Sequence, residues 1–522
     1  MNVCLHETRD LLLKYRKDQP PPLRLEELAR TLEEAQPADG PLPSSAAHLP
    51  QELLLIVAEL VKPSPSLSGD EDDFEAEAAL AKQQHLQHLP SLLTLALRLL
   101  PLLPTPIDPP SREECHLRAG LLLVFGRFTQ AAMSSAFTTL EATLATGLLT
   151  PAHVRLPLVR HLLSTSLPPF FKPHPKLNPS TGRVLSRPLG GDRGLQDWYE
   201  ETEDDATGWR PQAGLGGVVQ VVIEALQPGE VEDLWPFLLP PLLSYLDDFE
   251  QRNRIVGITL LDSLLDRVDA SLLRRTGVGK VFEKSLDSCF SALSDPLSPD
   301  VLAHAHPVAL KLLNLQHPPP SVMLSSSTSE EPRFTALSAL LTSSVLHSWE
   351  FKGQHVSIER ITARAIPPLL DALGSGTIRY LQVLVPHLCE LLVASATAAG
   401  GTWSLETAKM MCEAAIALER VVKHGKLRIK RWEGKIVGAV AQVWVGMEES
   451  DGAKNLAQGP GGAEALENLR EALQGLMATL IAAGDAGDAG DAEEPAFPAR
   501  LRDMGPIFSG LIPLQESEAM AV

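Results

Sequence analysis

The feature that most limits the fold of this chain is a recurring pair of apolar helical segments joined by a short charged turn. Residues 242–268, LLSYLDDFEQRNRIVGITLLDSLLDRV, show the pattern clearly. Four apolar residues in the second half follow the 0, 3, 4, 7 spacing of one buried helical stripe: Leu261, Leu264, Leu265 and Val268. Pro240 and Pro241 suit the start of the first helix. One such pair cannot bury its apolar face alone, so neighbouring pairs must stack.

The same unit recurs along the chain, with two helices in about 35 to 45 residues and no strict sequence period. No convincing strand pattern occurs, and aromatic residues make up only 5% of the chain. Strand-rich folds favour aromatic and β-branched residues, whereas the abundant Leu and Ala favour helix. Ser111, with Glu114 three residues later, predicts a capping box at one helix start. The sequence therefore predicts an all-α fold, a HEAT/armadillo-like α-solenoid of stacked helix pairs with long loops.

Composition divides the chain into N-terminal helical repeats, a loop rich in Pro, Gly and acidic residues, and C-terminal HEAT-like repeats: residues 1–167, 168–212 and 213–522. Flexible loops are expected near 317–332 and 484–496. We expect aromatic residues of the middle loop, Trp198, Tyr199 and Trp209, to pin it to the helices.

Bulk charge and the cysteines restrict the class of protein. The formal net charge is −20, which makes the chain a poor general nucleic-acid binder. The five cysteines lie far apart in apolar text, as reduced buried thiols of an intracellular protein do. The apolar segment 89–107 is interrupted by Arg98, Pro101 and Pro104, so we expect a buried helix and no membrane span.

Motifs for chemistry are incomplete. Residues 274–283, RRTGVGKVFE, lack the spacing of a phosphate loop, so Gly277 more simply marks a helix terminus. His85 and His88 have metal-compatible spacing without further ligands nearby, and a solvated helix face explains them as well. His304 and His306 do not share a helical face. We therefore predict no catalytic residues, no cofactor and no metal site, although an enzyme with an unrecognised helical site remains an alternative.

Charge patterns give two further hypotheses. Asp248 and Arg254 have the spacing of the charge ladder that HEAT repeats often form between neighbours, and two solvated charges are the alternative. The densest basic cluster is residues 420–435, RVVKHGKLRIKRWEGK. It fits an acidic protein partner, a nucleic acid, or simply a charged loop between two solenoid helices.

Residues 334–392 resemble a known family. The shared features are the Trp349 segment after an apolar helix, the turn at Leu373-Gly374, and a helix from Arg379 leading to VLVPHL. These resemble the Tti-two subunit family of the TTT (Tel–Tti–Tti) co-chaperone complex, in a fungal-like form. Residues 427–447, LRIKRWEGKIVGAVAQVWVGM, are similar to a second segment of that family, in which an Arg-Ile and a Trp precede a helix ending in Trp. The family's usual Trp-Pro is replaced here by Lys426-Leu427.

The resemblance implies a non-enzymatic HEAT-like scaffold subunit that binds the Tel and Tti subunits. It implies work with the ninety-kilodalton heat-shock chaperone to mature phosphatidylinositol-3-kinase-related kinases, in the cytoplasm and nucleus. Another α-solenoid adaptor, such as a transport or trafficking receptor, is the alternative. The predicted partner-binding residues are Trp349, Phe351, Arg428, Trp432 and Trp444. For the aromatic residues among them, packing in the core is the alternative role.

Overall fold

A computed structural model gives the structure of residues 8–10, 12, 49–61, 91–103, 108–129, 143, 145–190, 208–210, 212, 214–319, 330–350, 356–393, 403–485 and 506–511. The chain divides into two compact units. The first unit comprises Met1–Phe249 and Val256–Val278, and the second comprises Glu250–Ile255 and Gly279–Val522. Within the described ranges the regular structure is helical, and the only β pairing is an isolated bridge between Leu177 and Val184.

The helices of the first unit are α1 (Leu49–Val61), α2 (Arg112–Thr129), α3 (Ala152–His161), α4 (Leu215–Ala225), α5 (Val231–Leu246), α6 (Gln251–Leu265) and α7 (Ala270–Thr276). The first residues of α6, up to Ile255, are assigned to the second unit. Residues 91–99 are also helical. Short 3-10 segments occupy Leu100–Leu102 and Pro228–Glu230, and a π-helical segment, Leu162–Ser166, extends α3. Helix α2 contacts α1, α3 and α4, and α4 contacts α5, so helices close in sequence pack together.

Local sequence signals fix several of these helix ends. The backbone N–H of Glu114 donates to the side-chain oxygen of Ser111 at 3.1 Å, so the predicted N-cap of α2 is confirmed. The Asp269 carboxylate accepts from the Ser271 N–H at 2.6 Å and starts α7. Helix α7 ends at Gly277, whose φ of 74° is left-handed, so the predicted helix terminus at Gly277 is confirmed.

The first helix of the opening segment begins earlier than the sequence suggested. Helix α5 starts at Val231, so Pro240 and Pro241 lie inside it rather than at its start. A capping box formed by Gln227 and Glu230 sets the beginning of this helical region. The apolar stripe of α6 is buried as predicted, with Leu261 and Leu264 at 0% exposure. Burial of the apolar face of α5, which includes Leu238 and Leu242, outweighs the hydrogen bonds that the prolines inside α5 cannot make.

The described part of the middle loop packs on the first unit. Phe171 and Leu177 are buried. The ring of Trp209 lies 4.4 Å from that of Tyr245 in α5, measured between ring centres. Trp209 therefore pins the loop as expected, whereas Trp198 and Tyr199 lie outside the described residues. Most of the two predicted flexible loops, 317–332 and 484–496, lies outside the described residues. These loops and the predicted three-part division of the chain stay predictions.

The helices of the second unit are α8 (Val278–Ser291), which begins at the last residue of the first unit, α9 (Ser298–Gln316), α10 (Glu330–Leu340), α11 (Val356–Leu373), α12 (Leu381–Val393), α13 (Leu405–Gly425), α14 (Glu433–Glu449), α15 (Asp451–Gln458) and α16 (Gly462–Asp485). A π-helical segment, Leu341–Leu346, continues α10 to His347–Trp349. Short 3-10 segments are Gly374–Tyr380, Ile429–Trp432 and Pro506–Gly510.

Helix α13 is central to the second unit. It begins with a capping box between Ser404 and Thr407, and it contacts α11, α12 and α16. Its buried face contains many small residues, among them Ala408, Ala414 and Ala415, which let neighbouring helices approach closely. Contacts between helices one or two apart in sequence are typical of stacked helix pairs. The predicted all-α, solenoid-like fold is therefore confirmed, whereas assignment of the repeats as HEAT repeats stays a prediction.

No helix in the described part of the chain is long and apolar enough to cross a membrane. The sequence raised that question for residues 89–107, of which the structure describes 91–103. These form a helix that leads into a 3-10 turn at Leu100–Leu102.

Candidate partner-binding site

The turn between α13 and α14, residues 423–435, is the strongest candidate site and is called the basic turn below. Helix α13 ends at Gly425, where an added Cβ would lie 2.9 Å from a methyl carbon of Leu381. A side chain at this position would have to displace the Leu381 methyl group, so glycine allows the close approach to α12. The Arg428 N–H then donates to the Gly425 carbonyl at 2.9 Å, and a 3-10 segment, Ile429–Trp432, leads into α14.

Buried contacts hold the basic turn on the body of the second unit. Ile429 is only 2% exposed, and Trp432 is half-buried. The imidazole Nε2 of His424 lies 2.7 Å from a carboxylate oxygen of Asp371 at the end of α11. Anchored on three helices in this way, the turn presents its outer side chains from a fixed backbone, which limits the entropy lost on binding.

The outer face of the basic turn is cationic with one apolar residue. Its exposed basic residues are Lys423, Lys426, Arg428, Lys430, Arg431 and Lys435. Leu427 lies among them and is 78% exposed. On a chain of net charge −20, this is a local patch of the opposite sign. Such a face can attract an acidic surface electrostatically while the leucine supplies an apolar contact.

Trp349 packs within the second unit. Its indole N–H donates to the hydroxyl of Thr362 in α11 at 3.1 Å. Its ring stacks on His387 of α12, with 3.9 Å between ring centres. Burial lowers the pKa of His387, so the stacked imidazole is neutral near pH 7. Trp349 therefore joins the end of the α10 segment to two other helices and is only partly exposed.

Trp444 lies in the core of the second unit. It is 2% exposed, and its indole N–H donates to the Ile507 carbonyl at 2.8 Å. The guanidinium carbon of Arg470 lies 5.9 Å from the centre of its ring. The ring thus attaches the C-terminal 3-10 segment to α14. Phe351 lies outside the described residues, and partner binding by all five predicted residues stays a prediction.

The structure therefore separates the five predicted residues. Arg428 and Trp432 share the basic turn, whereas Trp349 and Trp444 make internal contacts elsewhere. Leu427 is the most accessible large apolar side chain of the turn. The sequence drew attention to it only because Lys426-Leu427 stands where the family usually has Trp-Pro. A leucine between charged residues after a helix end was the only signal for it, because hydropathy alone places leucine in a core.

The two charges proposed for a ladder have specific neighbours. Asp248 pairs with Arg210 from the middle loop at 2.5 Å, within the first unit. The Arg254 guanidinium donates to the Ser288 carbonyl of α8 at 3.4 Å, within the second unit. Each side chain thus ties its own segment to a distant part of the chain.

Outside the basic turn, we compared the described residues that could bind a metal or act as nucleophiles. Among the described residues, no three His, Cys, Asp or Glu side chains cluster as metal ligands would, and His85 and His88 lie outside that set. His306 is buried and His304 exposed, in agreement with their predicted different faces. Burial raises the pKa of the Cys389 and Cys412 thiols to about 11, so both stay protonated near neutral pH.

The fold and this surface define an all-α, solenoid-like protein with an outward basic turn. Comparison with known proteins then identifies the family. The model of the Tti2 family matches residues 122–399, more than half of the chain, and the protein therefore belongs to the Tti2 family. The resemblance to the Tti-two subunit of the TTT complex is thereby confirmed. Trp349 lies within the matched range, and the basic turn lies after it.

Two other comparisons add little. No curated protein matches the chain. Among solved structures, the crystal structure of an engineered protein aligns with 91% of this chain and 99% of its own, with 12% identical residues and a TM-score of 0.27. A likeness at that level carries no argument about fold or function.

Proposed function

We propose that the protein is a non-enzymatic scaffold subunit of a TTT-like co-chaperone complex that supports maturation and stability of phosphatidylinositol-3-kinase-related kinases. The family match over residues 122–399 carries this proposal. The solenoid-like packing supports it, because stacked helix pairs offer extended surfaces for other proteins. The direct partners are the Tel and Tti subunits, with the kinases and the ninety-kilodalton heat-shock chaperone engaged through the complex, in the cytoplasm and nucleus.

Within this proposal the basic turn contacts an acidic surface of a partner subunit. Leu427 is 78% exposed, and covering a leucine side chain contributes about 1.5–3 kcal/mol. The surrounding cations steer an acidic partner and resist like-charged competitors. Trp432 is half-buried at the base of the turn, so part of its ring is available to the same partner.

The proposal is tested by isolating the tagged full-length chain from cells and identifying bound proteins by mass spectrometry. We expect the Tel and Tti subunits to co-purify with the native sequence. A chain that captures neither subunit contradicts the scaffold proposal. Depletion of the protein should lower the steady-state amounts of the large kinases, whereas another solenoid adaptor would leave those amounts unchanged.

The role of the basic turn is tested separately with the double variant Arg428→Glu, Arg431→Glu. We expect it to fold normally, because both side chains are exposed, and to recover fewer partner subunits than the native protein, most clearly at low salt where the charges are least screened. Lys454→Glu is the matched control, since it reverses an exposed charge in α15 outside the turn. Equal recovery of partners by the double variant and the control would remove the turn from the interface while leaving complex membership standing.

A further inference from the structure

A groove opens in the second unit between α9 and α11. Its volume is about 720 Å³. Side chains that line it from both helices are mostly apolar, and the aliphatic ones include Leu302, Leu310, Leu315, Ile361, Ala365 and Leu369. Leu310 and Leu315 are only half-buried, so part of the apolar lining is accessible. Ligand pockets in proteins usually measure about 300–1,000 Å³, so this groove has room for a few inserted side chains but not for a whole domain.

The ionisable lining residues are basic. They are Lys311 and Arg364, with His304 and the buried His306, and no aspartate or glutamate lines the groove among the residues described. Burial lowers the pKa of His306, which leaves that imidazole neutral. Arg364 is exposed and also interacts electrostatically with Glu413 of α13. On a chain of net charge −20, an apolar groove with only cationic side chains favours an acidic occupant.

The groove also offers hydrogen-bond acceptors at its edges. Pro307 in α9 has no N–H to donate to the Ala303 carbonyl, and Pro368 in α11 has none for the Arg364 carbonyl. All four residues line the groove. The side-chain oxygen of Asn314, another lining residue, is buried and accepts no hydrogen bond within the described structure. Both helices that form the groove thus carry acceptors without a partner from their own helix or side chains.

We propose that the groove between α9 and α11 binds a short, acidic, amphipathic helix of a partner protein. Its apolar residues, spaced at i, i+3, i+4 and i+7, lie on the leucine-rich floor. Its carboxylates pair with Arg364 on one wall and Lys311 on the other. The donors at its free N-terminal turn reach the acceptors that the prolines leave open. The groove is distinct from the basic turn, and the proposal does not depend on membership of the TTT complex.

The test uses the full-length protein and a fluorescein-labelled helical peptide of about 14 residues, with Leu at i, i+3, i+4 and i+7 and Glu on the flanking positions. Fluorescence anisotropy should show saturable binding that weakens with salt. A peptide with Lys in place of Glu, and a scrambled peptide of the same composition, should bind at least tenfold more weakly. Equal binding of the scrambled peptide would overturn the proposal, because it would show no helical register.

Two variants locate the binding. Arg364→Glu, at an exposed position, should weaken the acidic peptide about tenfold or more, which corresponds to about 1.4 kcal/mol. Leu315→Lys should weaken it as well, and circular dichroism with thermal unfolding reports whether either variant is folded. Lys454→Glu reverses an exposed charge in α15, outside both the groove and the basic turn, and is the matched control that should bind like the native protein. Loss of binding in Arg428→Glu with retention in Arg364→Glu would assign the peptide to the basic turn and overturn the proposal.

Two other occupants are distinguished in the same samples. Tighter peptide binding after deletion of residues 486–500 would make the chain's own acidic segment the occupant. A concentration-dependent dimer that Arg364→Glu dissociates, measured by light scattering, would make the occupant a second copy. Either result would overturn the assignment to a partner helix. Competition of the labelled peptide by the partner subunits recovered from cells would support it.

Discussion

The guanidinium of Arg210 and the carboxylate of Asp248 meet at 2.5 Å, with the Asp248 side chain fully buried. Asp248 also accepts from the Phe249 N–H at 2.8 Å. The guanidinium carbon of Arg210 lies 4.6 Å from the centre of the Phe249 ring. This pair ties the end of the middle loop to the end of α5, beside the ring contact between Trp209 and Tyr245.

Removing one partner of this pair should destabilise the first unit. We expect Asp248→Ala to lower the free energy of unfolding by about 3 kcal/mol, because the partly buried Arg210 guanidinium loses its counter-charge. Urea unfolding followed by tryptophan fluorescence measures the loss. Asp233→Ala is the control, since its pair with Arg160 is exposed at 3.9 Å and should be worth less than about 1 kcal/mol. Similar losses in both variants would contradict a special role for the buried pair.

Gly257 should tolerate no side chain. A Cβ there would lie 2.6 Å from the Leu246 Cα, which is backbone and cannot move aside easily. We expect Gly257→Ala to cost about 3 kcal/mol through forced separation of α5 and α6. Gly120→Ala in α2 is the matched control, because no atom lies within 4 Å of its Cβ position, and it should stabilise by about 0.5–1 kcal/mol. Differential scanning calorimetry of both proteins compares the opposite shifts.

Two apolar residues of the basic turn should behave oppositely in stability measurements. Ile429 is 2% exposed and Leu427 is 78% exposed. We expect Ile429→Ala to lower the free energy of unfolding by about 2–4 kcal/mol because it leaves a cavity. Leu427→Ala should change it by less than about 0.5 kcal/mol, as exposed substitutions do. Loss of stability in Leu427→Ala, seen by chemical denaturation, would mean that the leucine packs in solution and is not available to a partner.

Stability of the second unit should fall in mild acid. Burial places the pKa of His306 in the folded protein below its ordinary value of 6.5, so the unfolded chain takes up a proton first as pH falls. The stabilisation is complete above about pH 6.5 and is lost below it, at most about 1.4 kcal/mol per pH unit for one histidine. Urea unfolding at several pH values should show a smaller slope for His306→Gln.

His387 provides an independent check of the same effect. Burial lowers its pKa as well, and it stacks on Trp349. We expect His387→Gln to reduce the acid slope, and the double variant with His306→Gln to reduce it further. Native slopes in both single variants would assign the acid sensitivity to other groups.

The hydrogen bond from Trp444 to the Ile507 carbonyl should hold the C-terminal 3-10 segment in place. We expect Trp444→Phe to lower the free energy of unfolding by about 1–2 kcal/mol, because the carbonyl loses its donor. Hydrogen exchange of residues 506–511 should become faster. Trp432→Phe, at the other end of α14, is the control and should leave that exchange unchanged. Unchanged exchange in Trp444→Phe would show that other contacts suffice.

Much of the local structure was predictable from the sequence because its causes are local. The stripe on α6 follows from helical periodicity, the start of α2 from the Ser111 side chain, and the end of α7 from the freedom of Gly277 at positive φ. The prolines of α5 were misplaced because their usual position at a helix start was overridden by burial of the surrounding apolar face. Tertiary packing supplied the energy that local preference could not.

The sequence by itself determined that helices form in pairs, that each has an apolar face, and that a basic cluster follows α13. Only the tertiary structure decided which side chains those faces cover. It buried Trp444, left Leu427 exposed, and gave Asp248 the distant partner Arg210. It also opened a cationic groove between α9 and α11, whose lining residues are up to 67 positions apart in sequence. Hydropathy ranks residues one at a time, whereas exposure depends on which helices stack against each other, and that is settled by the packing of the whole unit.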